Sequence, residues 1–304
     1  MQIIFYGMLL LTSMLWAGNF VAGKFLVDHS SPMMLTVMRW VIAILVLIPI
    51  VWVRERKILP PAKAIFSLFL MGLTGVVLFN FFMFMALERT SAGNVGLLSA
   101  LNPVSIALAS FFLLREKINV RQIAGMMISL FGVIVVISQG HLQRIIELKF
   151  NTGDMFMLLA VLCWGLYSVA GRKAMKFVSP YMSTLWSGIF GILTIIPFNL
   201  SKMTITQPNF SFWMATLYAG IGATVVAMVL WNIGVQRVGG TKSGIFLNFN
   251  PIFTAILSYV ILREYISFPQ IIGTILVIGG VYLFTSKKRV MKKIQPGPAV
   301  PRSS

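Results

Sequence analysis

The sequence predicts an all-α integral membrane protein in which ten transmembrane helices form two inverted repeats of five. Three observations predict this fold: the composition, the apolar stretches, and an internal repeat whose loop charges swap sides. Of 304 residues, 58% are hydrophobic and 11% are charged, whereas soluble domains carry roughly 25% charged residues. A soluble chain of this composition would expose apolar surface that can only aggregate or contact lipid.

Ten stretches of the chain are long and apolar enough to cross a bilayer, which requires about 20 predominantly apolar residues. The connections between them are short and contain most of the Lys, Arg and Pro residues. The expected spans are residues 3–23, 33–53, 64–86, 93–114, 120–138, 152–171, 181–200, 211–235, 242–262 and 269–286.

The sequence also repeats itself, without a gap, at an offset of 148 residues. Leu114-Arg115-Glu116 returns as Leu262-Arg263-Glu264, and Asn102-Pro103 returns as Asn250-Pro251. Trp16 likewise has its counterpart in Trp164. We therefore expect two homologous units and a tail: residues 3–138, residues 152–286, and a basic, Pro-rich segment, residues 287–304, that is too polar to fold.

The basic residues indicate how the two units are oriented. Five crossings are an odd number, so the second unit must start on the opposite face from the first. Loops on one side contain 18 of the 25 Lys and Arg residues, loops on the other side contain six, and Arg39 lies within a span. The positive-inside rule then predicts that both termini are cytoplasmic and that the units are inverted in the cell membrane.

Composition and charge exclude several classes of function. The net charge of +18 could indicate nucleic-acid binding, but the basic residues lie in short loops and in the tail, where topology and anionic lipid headgroups explain them. With one cysteine and two histidines, the chain lacks the residues for a disulfide framework or a zinc site. All seven acidic residues lie near the predicted ends of spans, so neither a membrane-embedded proton carrier nor an enzyme is expected.

An inverted repeat is typical of secondary transporters. Rocking one half against the other exchanges an inward-open shape for an outward-open one, and the solute binds near the midplane where the halves meet. An integral-membrane enzyme and a non-transporting scaffold are the alternatives from other classes. The oligomeric state, the coupling ion and the solute are not predicted by these patterns.

The two Asn-Pro pairs are the strongest local indication of a binding site. Both lie about nine residues into a span, near mid-bilayer at ~1.5 Å per residue. Pro103 disturbs the carbonyl of Leu98, and Pro251 that of Phe246, and such breaks are tolerated only in a protein interior or beside a cavity. The amides of Asn102, Asn248 and Asn250 could satisfy these carbonyls, face a solute, or do both, with the prolines as hinges.

A second group of candidates consists of aromatic and polar residues deep within their spans. Trp16 and Trp164 lie ~12 residues from the start of their helices, whereas tryptophans favour membrane interfaces. Their indole N–H groups need acceptors, and Asn19, Tyr167 and Ser168 lie on the same helical faces. Core packing is the alternative for each. The remaining members of the expected cavity are Asn80, Trp231 and Asn232.

Arg39 is the one charged residue well inside a predicted span. An ionisable group at such a position is by default a functional candidate. It could reach the cavity and favour a carboxylate or phosphate on the solute. Alternatively, it could extend to the headgroups or pair with Asp28 or Glu88.

Together these motifs resemble the drug/metabolite transporter superfamily, EamA-type branch, over about residues 3–286. The resemblance rests on ten helices in two homologous halves, Pro32 followed by Arg39, and Asn-Pro then Leu-Arg-Glu in helices 4 and 9. It implies a secondary carrier in the cytoplasmic membrane with a cavity among helices 1, 3, 4, 6, 8 and 9. It also implies metabolites, often amino acids, as solutes, and commonly export.

A multidrug or cationic-compound exporter of the same superfamily remains the alternative. Small multidrug members use an embedded glutamate in the first helix, whereas this chain has Trp16 and Asn19 in that region. We therefore predict an exporter of a small metabolite, working by alternating access without a cofactor or metal.

Overall fold

The computed structural model describes residues 2–141, 151–199, 204–238, 243–244 and 246–285. These residues are helical, and their one extended pairing is an isolated bridge between Ser30 and Ile205. The tail, residues 287–304, for which lipid headgroups are the expected partner, lies outside them. The helices are α1 (Gln2–Leu26), α2 (Pro32–Glu55), α3 (Ala62–Arg89), α4 (Ala92–Ser99 and Asn102–Leu114), α5 (Val120–Ile137), α6 (Thr152–Ala174), α7 (Pro180–Asn199), α8 (Phe210–Val238), α9 (Phe249–Leu262) and α10 (Phe268–Thr285).

The length and apolarity of these helices suit a membrane. Within the described residues, α1, α2, α3, α6 and α8 are each long and apolar enough to cross it, and the two segments of α4 would make a sixth span. Helices α5, α9 and α10 are apolar but shorter. The prediction of an all-α membrane protein is therefore confirmed, while the ten-span inverted repeat stays a prediction.

The outer surface of the bundle is apolar. Phe66, Phe112 and Val260 are exposed by 70%, 72% and 68% of their area. A water-soluble protein rarely exposes apolar patches of this kind. In a membrane these side chains contact lipid chains, and their exposure then has no free-energy cost. The chain is a multi-pass membrane protein.

The first five helices, which we call the first unit, interlock with the last five, which we call the second unit. Helix α1 packs against α8 and α9 of the second unit, and α6 packs against α3 and α4 of the first. Helix α2 likewise contacts α8, and α7 contacts α3. Each unit therefore buries its first two helices against the other unit, and the core lies between them.

Helices α5 and α10 pack side by side through small residues. Gly125 lies against the carbonyl of Gly280, and Gly132 against that of Gly273. These two contacts exchange when 148 is added or subtracted, and the Ser129 hydroxyl donates to the Val277 carbonyl at 3.2 Å, which is also an offset of 148. The close approach that small residues permit is present here.

Helix α4 is broken where the sequence predicts it. Its two segments meet at a bend of 41°, and Pro103 lies in the first turn of the second segment. The expectation that Asn amides fill the freed carbonyls is wrong. The Leu98 carbonyl accepts from the backbone N–H of Leu101 at 3.0 Å, and the Phe246 carbonyl accepts from the Ser13 hydroxyl of α1 at 2.6 Å.

Besides a short one at the end of α9, Ser258–Leu262, a longer, wide π-helical stretch that the sequence pattern does not predict lies in each of two helices. It covers Gly72–Leu78 in α3 and Tyr218–Val226 in α8. Adding 148 to the first range gives residues 220–226, so the two stretches are equivalent. Wide turns of this kind are frequent at functional sites, and both of these face the middle of the bundle.

Candidate solute-binding site

A small cavity lies at the centre of the bundle, beside both π-helical stretches. Its volume is about 30 Å³, which is room for a water molecule or two. Seven predicted site residues line it: Trp16, Asn19, Arg39, Asn80, Asn102, Trp164 and Asn250. Five further lining residues were not predicted: Phe20, Trp40, Gly75, Phe79 and Met228.

These residues come from the helices that the family resemblance implies, with one addition. Helices α1, α3, α4, α6, α8 and α9 all contribute to the wall, and so does α2, through Arg39 and Trp40. Helix α2 therefore carries the cation of the site.

Arg39 faces this cavity instead of extending to the membrane surface. Its side chain is buried, and the residue is 6% exposed. The Nε–H donates to the Thr224 hydroxyl at 2.5 Å, and Nη1 donates to Asn80 Oδ1 at 2.9 Å. The expected ion pairs with Asp28 or Glu88 are absent among the described residues, where Glu88 pairs instead with Arg89. The guanidinium bridges α3 of the first unit and α8 of the second.

The π-helical stretches explain why Asn80 and Thr224 are available to Arg39. A wide turn leaves carbonyls without their usual helical partners, and buried carbonyls must be paired. Asn80 Nδ2 donates to the carbonyls of Gly75 and Val76 at 3.0 and 2.9 Å. The Thr224 hydroxyl donates to the Ala219 carbonyl at 2.7 Å. Both side chains are thereby fixed with an oxygen turned toward the guanidinium.

An aromatic cluster forms one wall of the cavity. Trp16 and Trp164 meet edge to face, with ring centroids 5.2 Å apart, and Phe79 lies 5.2 Å from Trp164. The indole N–H of Trp16 donates to the Ala223 carbonyl in the π-helical stretch of α8, at 3.0 Å. Its acceptor is therefore in the other unit, and not one of the side chains suggested by helical spacing.

Several buried polar atoms of the lining have no hydrogen-bond partner among the described residues. They are Oδ1 of Asn19, Oδ1 of Asn102, both amide atoms of Asn250, and Nε1 of Trp164. An unpaired buried polar atom costs about 1–3 kcal/mol. Five such atoms around one cavity are the pattern expected of a site that a polar ligand completes.

The other predicted site residues lie behind the lining. Tyr167 stacks on Trp164 at 5.0 Å, and Trp231 lies 5.5 Å from Trp16. The Ser168 hydroxyl donates to the carbonyl of Trp164 in its own helix at 2.8 Å, and Asn232 donates to Thr184 at 3.1 Å. Asn248 is buried with an unpaired Oδ1. They support the cavity wall instead of facing the cavity.

The bundle has two distinct ends. The "basic end" carries the loops after α2, α4 and α6 and the end of α8, which meet around Lys57, Glu116, Lys176 and Gln236. The "opposite end" carries the loops after α1, α3 and α9, which meet around Lys24, Arg89 and Tyr265.

A cavity of about 530 Å³ opens at the basic end. It begins at Pro103, next to the cavity residue Asn102, and we name it the basic-end vestibule. Its walls include Pro103, Ala107, Ser110, Glu116 and Gln122.

The equivalent residues at the opposite end enclose little space. Adding 148 to those five wall residues gives Pro251, Ala255, Ser258, Glu264 and Gln270, which line a pocket of only about 30 Å³. We name this pocket the opposite-end vestibule. A surface depression of about 560 Å³ lies outside it, around Arg89 and Tyr265, and shares Glu264 and Gln270 with it. The deep residues Pro251, Ala255 and Ser258 do not line that depression.

Specific contacts close the opposite-end vestibule. The Glu264 carboxylate accepts from the backbone N–H groups of Ala92 and Gly93, at 3.1 and 3.2 Å, at the start of α4. Gln270 donates to Asn94 Oδ1 at 2.7 Å. Anions are stabilised at a helix N-terminus, so Glu264 ties the end of α9 to the start of α4.

The counterparts of these residues are used differently at the basic end. Glu116 pairs with Arg172 of α6 at 2.7 Å, and Gln122 forms a capping box with Asn119 at the start of α5. Residues 240 and 241, the equivalents of Ala92 and Gly93, lie outside the described residues.

Sequence reasoning missed Ser13, Thr224 and the role of Glu264. Ser13 and Thr224 are single hydroxyls in apolar helices and carry no periodic signal. For Glu264, the repeated Leu-Arg-Glu motif was the available signal, and in the structure the arginines of both copies, Arg115 and Arg263, adopt left-handed φ values of 56° and 54°.

Comparison with known proteins identifies the family. The EamA-like transporter family matches residues 3–138 and, separately, residues 151–286. A Bacillus subtilis protein named as an uncharacterized transporter, YyaM, is 28% identical over 94% of this chain and 95% of its own length. An uncharacterized transporter of Archaeoglobus fulgidus is 30% identical over 92% of this chain and 97% of its own.

A crystal structure that is 24% identical in sequence covers 90% of this chain and 94% of its own with a TM-score of 0.63, which shows that the fold is shared. The family matches cover both halves of the chain, and both relatives bear the name of transporter. The chain therefore belongs to the EamA-like transporter family of the drug/metabolite transporter superfamily.

Proposed function

We propose that this chain is a secondary transporter that exports a small polar metabolite, such as an amino acid, across the cytoplasmic membrane. Two inverted five-helix repeats enclose the central cavity and open it alternately to the two sides. The observation that carries this proposal is the difference between two vestibules that are built from equivalent residues.

The repeat itself has several independent lines of support. The two family matches begin and end 148 residues apart, which is the offset of the sequence repeat. The π-helical stretches of α3 and α8 follow the same offset. Helices α4 and α9 also end alike, because Arg115 and Arg263 are left-handed and their N–H groups donate to Ser110 and Ser258.

The two vestibules are built from equivalent residues but differ in volume, and this difference supports alternating access. Residues that enclose about 530 Å³ at the basic end enclose about 30 Å³ at the opposite end. If the two units exchange conformations, the opposite-end vestibule opens and the basic-end vestibule closes, at similar energy. The structure then represents the state that is open at the basic end.

The distribution of charge supports the proposal that this open side faces the cytoplasm. In the topology predicted from the sequence, 18 of the 25 Lys and Arg residues lie on the side that corresponds to the basic end, and such residues favour the cytoplasmic side. Both termini are then cytoplasmic, and an exporter collects its cargo in the observed state.

The lining of the cavity favours a polar, non-cationic cargo. Three asparagine side chains and one indole present unpaired polar atoms there. Arg39 adds a positive charge, and the described lining contains no Asp or Glu. A cation would meet repulsion from Arg39, which argues against the cationic-drug alternative.

Exchange across a membrane tests the transport proposal. Purified full-length protein in liposomes loaded with unlabelled solute should accumulate labelled solute from a panel of amino acids, sugars, nucleosides and organic acids. Asn102→Ala and Asn250→Ala should each slow exchange of the accepted solute about fivefold, because each removes polar contacts of about 1 kcal/mol.

Asn119→Ala, at the exposed start of α5, serves as the matched control and should exchange at the unmodified rate. Thermal unfolding of all three variants checks that they fold. Unchanged exchange in both cavity variants would remove the Asn-Pro site from the proposal, and a protein that exchanges no solute would contradict transport itself.

A further inference from the structure

We infer that Lys24 changes partners when the opposite end opens: it leaves the end of α3 and forms an ion pair with Glu264. This inference rests on the proposed alternating access and names two charged residues that hold its two conformations. Neither residue lines the central cavity. Lys24 and Glu264 are then positioning residues, which act on the equilibrium between the conformations.

The two charged side chains have separate partners at the closed end. Lys24, in the last turn of α1, donates from Nζ to the carbonyl oxygens of Leu87 and Thr90 at 2.6 and 3.0 Å. The end of a helix leaves such carbonyls without intrahelical partners and attracts a cation. Glu264, at the end of α9, accepts from the start of α4. Both side chains are half-buried, and both line the surface depression at the opposite end.

The packing of the helices shows that these bonds join two groups of helices. Helix α1 packs more extensively against α8 and α9 than against α3 and α4, whereas α6 packs against α3 and α4. We name α1, α8 and α9 the α1 group, and α3, α4 and α6 the α6 group. Lys24 and Glu264 both belong to the α1 group, and both bind the α6 group. Separation of the two groups at this end therefore breaks both sets of bonds.

The equivalent residues at the open, basic end pair with each other. Arg172 is the equivalent of Lys24, and Glu116 is the equivalent of Glu264. Arg172 donates from Nη2 to Glu116 Oε1 at 2.7 Å and from Nη1 to the Ser110 hydroxyl at 3.2 Å. Arg172 lies on α6, and Glu116 directly follows α4. Where the groups are apart, the equivalent cation and carboxylate thus neutralise each other within the α6 group.

Exchange of the two conformations transfers this arrangement to the other end. The ion pair of the basic end is then converted into one between Lys24 and Glu264, which stay together because both belong to the α1 group. Their attraction replaces the broken bonds, so that opening leaves no unpaired charge in the half-buried depression. Ser258, the equivalent of the serine that Arg172 binds, is buried on α9. Its hydroxyl donates to its own helix and can still accept from the Lys24 ammonium.

Zero-length cross-linking of the purified full-length protein in liposomes tests the inference. A carbodiimide joins a lysine amine to a carboxylate only when the two are in contact, and mass spectrometry identifies the linked peptides. Gly96→Val opens the opposite end, because a Cβ there would lie 2.5 Å from the Thr254 side chain. Linkage of Lys24 to Glu264 should be slow in the unmodified protein, and its initial rate should rise about 5- to 150-fold in Gly96→Val.

The basic end supplies the matched pair for this experiment. Arg172→Lys provides an amine that a carbodiimide can link to Glu116. This linkage should be fast in the otherwise unmodified protein and should fall when Gly96→Val is added. Gly244→Val is the control substitution, since the nearest neighbour of a Cβ there lies at 3.8 Å, and it should leave both linkages unchanged.

A double-mutant cycle measures the ion pair without a cross-linker. The readout is the rate at which a membrane-impermeant thiol reagent labels Ala255→Cys in a Cys163→Ala background. The ratio of the rates after and before Lys24→Gln should be about twofold to fivefold higher in a Glu264→Gln protein than in the otherwise unmodified one, because only the latter loses the pair of the open state.

Two variants serve as controls for the cycle. In a Glu116→Gln protein, which is altered at the other end, the ratio for Lys24→Gln should equal that in the otherwise unmodified protein. Lys24→Arg keeps the charge and should therefore keep the rate close to that before substitution.

The outcomes separate this inference from alternating access. If thiol labelling shows that Gly96→Val opens the opposite end while linkage of Lys24 to Glu264 does not rise, the inference is overturned and alternating access stands. If that linkage rises without a fall in the linkage of Arg172→Lys to Glu116, the ion pair is supported and alternation is contradicted. Equal ratios for Lys24→Gln with and without Glu264→Gln overturn the inference even when Gly96→Val does not fold.

Discussion

The two ends of this molecule are built from equivalent residues of the sequence repeat but have different shapes. At the basic end, Pro103 to Gln122 line an open vestibule of about 530 Å³, whereas Pro251 to Gln270 close around about 30 Å³ at the opposite end. Sequence equivalence therefore does not produce equivalent packing. The difference is in the partners of the two glutamates, since Glu264 binds the start of α4 and Glu116 binds Arg172.

Under the proposed alternating access, the repeat sets which surfaces can close, and a few polar contacts favour closure of one of them. Two conformations of similar energy are expected when the closing surfaces are equivalent. A change of about 1.4 kcal/mol at either end alters their ratio tenfold. Modest substitutions at equivalent positions should therefore shift the ratio in opposite directions.

The largest effect is expected from Gly96 and its equivalent, Gly244. A Cβ on Gly96 would lie 2.5 Å from the Thr254 side chain at the closed end, whereas a Cβ on Gly244 has its nearest neighbour, Pro103, at 3.8 Å. Overpacking costs about 1–3 kcal/mol. Gly96→Val should therefore open the opposite end, by about 5- to 150-fold in population, and Gly244→Val should leave it closed.

Thiol labelling measures this shift. In a Cys163→Ala background, a cysteine replacing Ala255 reports on the opposite-end vestibule and one replacing Ala107 on the basic-end vestibule. Gly96→Val should accelerate labelling at position 255 by a membrane-impermeant reagent. Equal labelling of the Gly96→Val and Gly244→Val proteins at that position would contradict the expected difference between the two ends.

A smaller effect is expected from the two glutamates. Glu264→Gln removes the charge from two hydrogen bonds to the start of α4, where charged hydrogen bonds contribute about 1.5–3 kcal/mol. Labelling at position 255 should therefore rise about tenfold. Glu116→Gln removes an exposed pair with Arg172, of about 0–1 kcal/mol, and should change labelling little. A larger increase in labelling for Glu116→Gln than for Glu264→Gln would contradict the role of Glu264 in closing the opposite end.

The smallest effect concerns the two helix breaks. Ser13 satisfies the Phe246 carbonyl at the break near α9, whereas the break of α4 uses its own backbone. Ser13→Ala should lower the free energy of unfolding by about 1 kcal/mol, measured by thermal or denaturant unfolding in detergent. Ser168→Ala, whose hydroxyl bonds only its own helix, is the control. Equal stability of both variants would show that water or another group replaces Ser13.

Much of this architecture could be predicted from the sequence, because the lengths of the apolar stretches and the offset of 148 residues between the repeats are properties of the sequence itself. The helix positions, the Asn-Pro break of α4 and most of the cavity lining follow from them. The π-helical stretches could not be predicted, since they depend on side chains that capture released carbonyls, such as Asn80 and Thr224. The partner of Arg39 was missed for the same reason.

The sequence pattern also does not predict which of the two ends is closed. Leu-Arg-Glu is identical after α4 and α9, so nothing in the motif indicates that its two glutamates have different partners. Which copy closes is a property of the whole conformation. The contacts of the folded chain distinguish Glu264 from Glu116.

The central claim is that the two ends open in alternation, and distances between spin labels test it most directly. Exposed, equivalent positions are available for a matched pair of measurements: Lys117 with Arg237 at the basic end, and Tyr265 with Arg89 at the opposite end. When the transported solute is added, or when Gly96→Val is introduced, we expect the basic-end distance to shorten and the opposite-end distance to lengthen. Distances that change in the same direction, or an opposite-end distance that never changes, would contradict it.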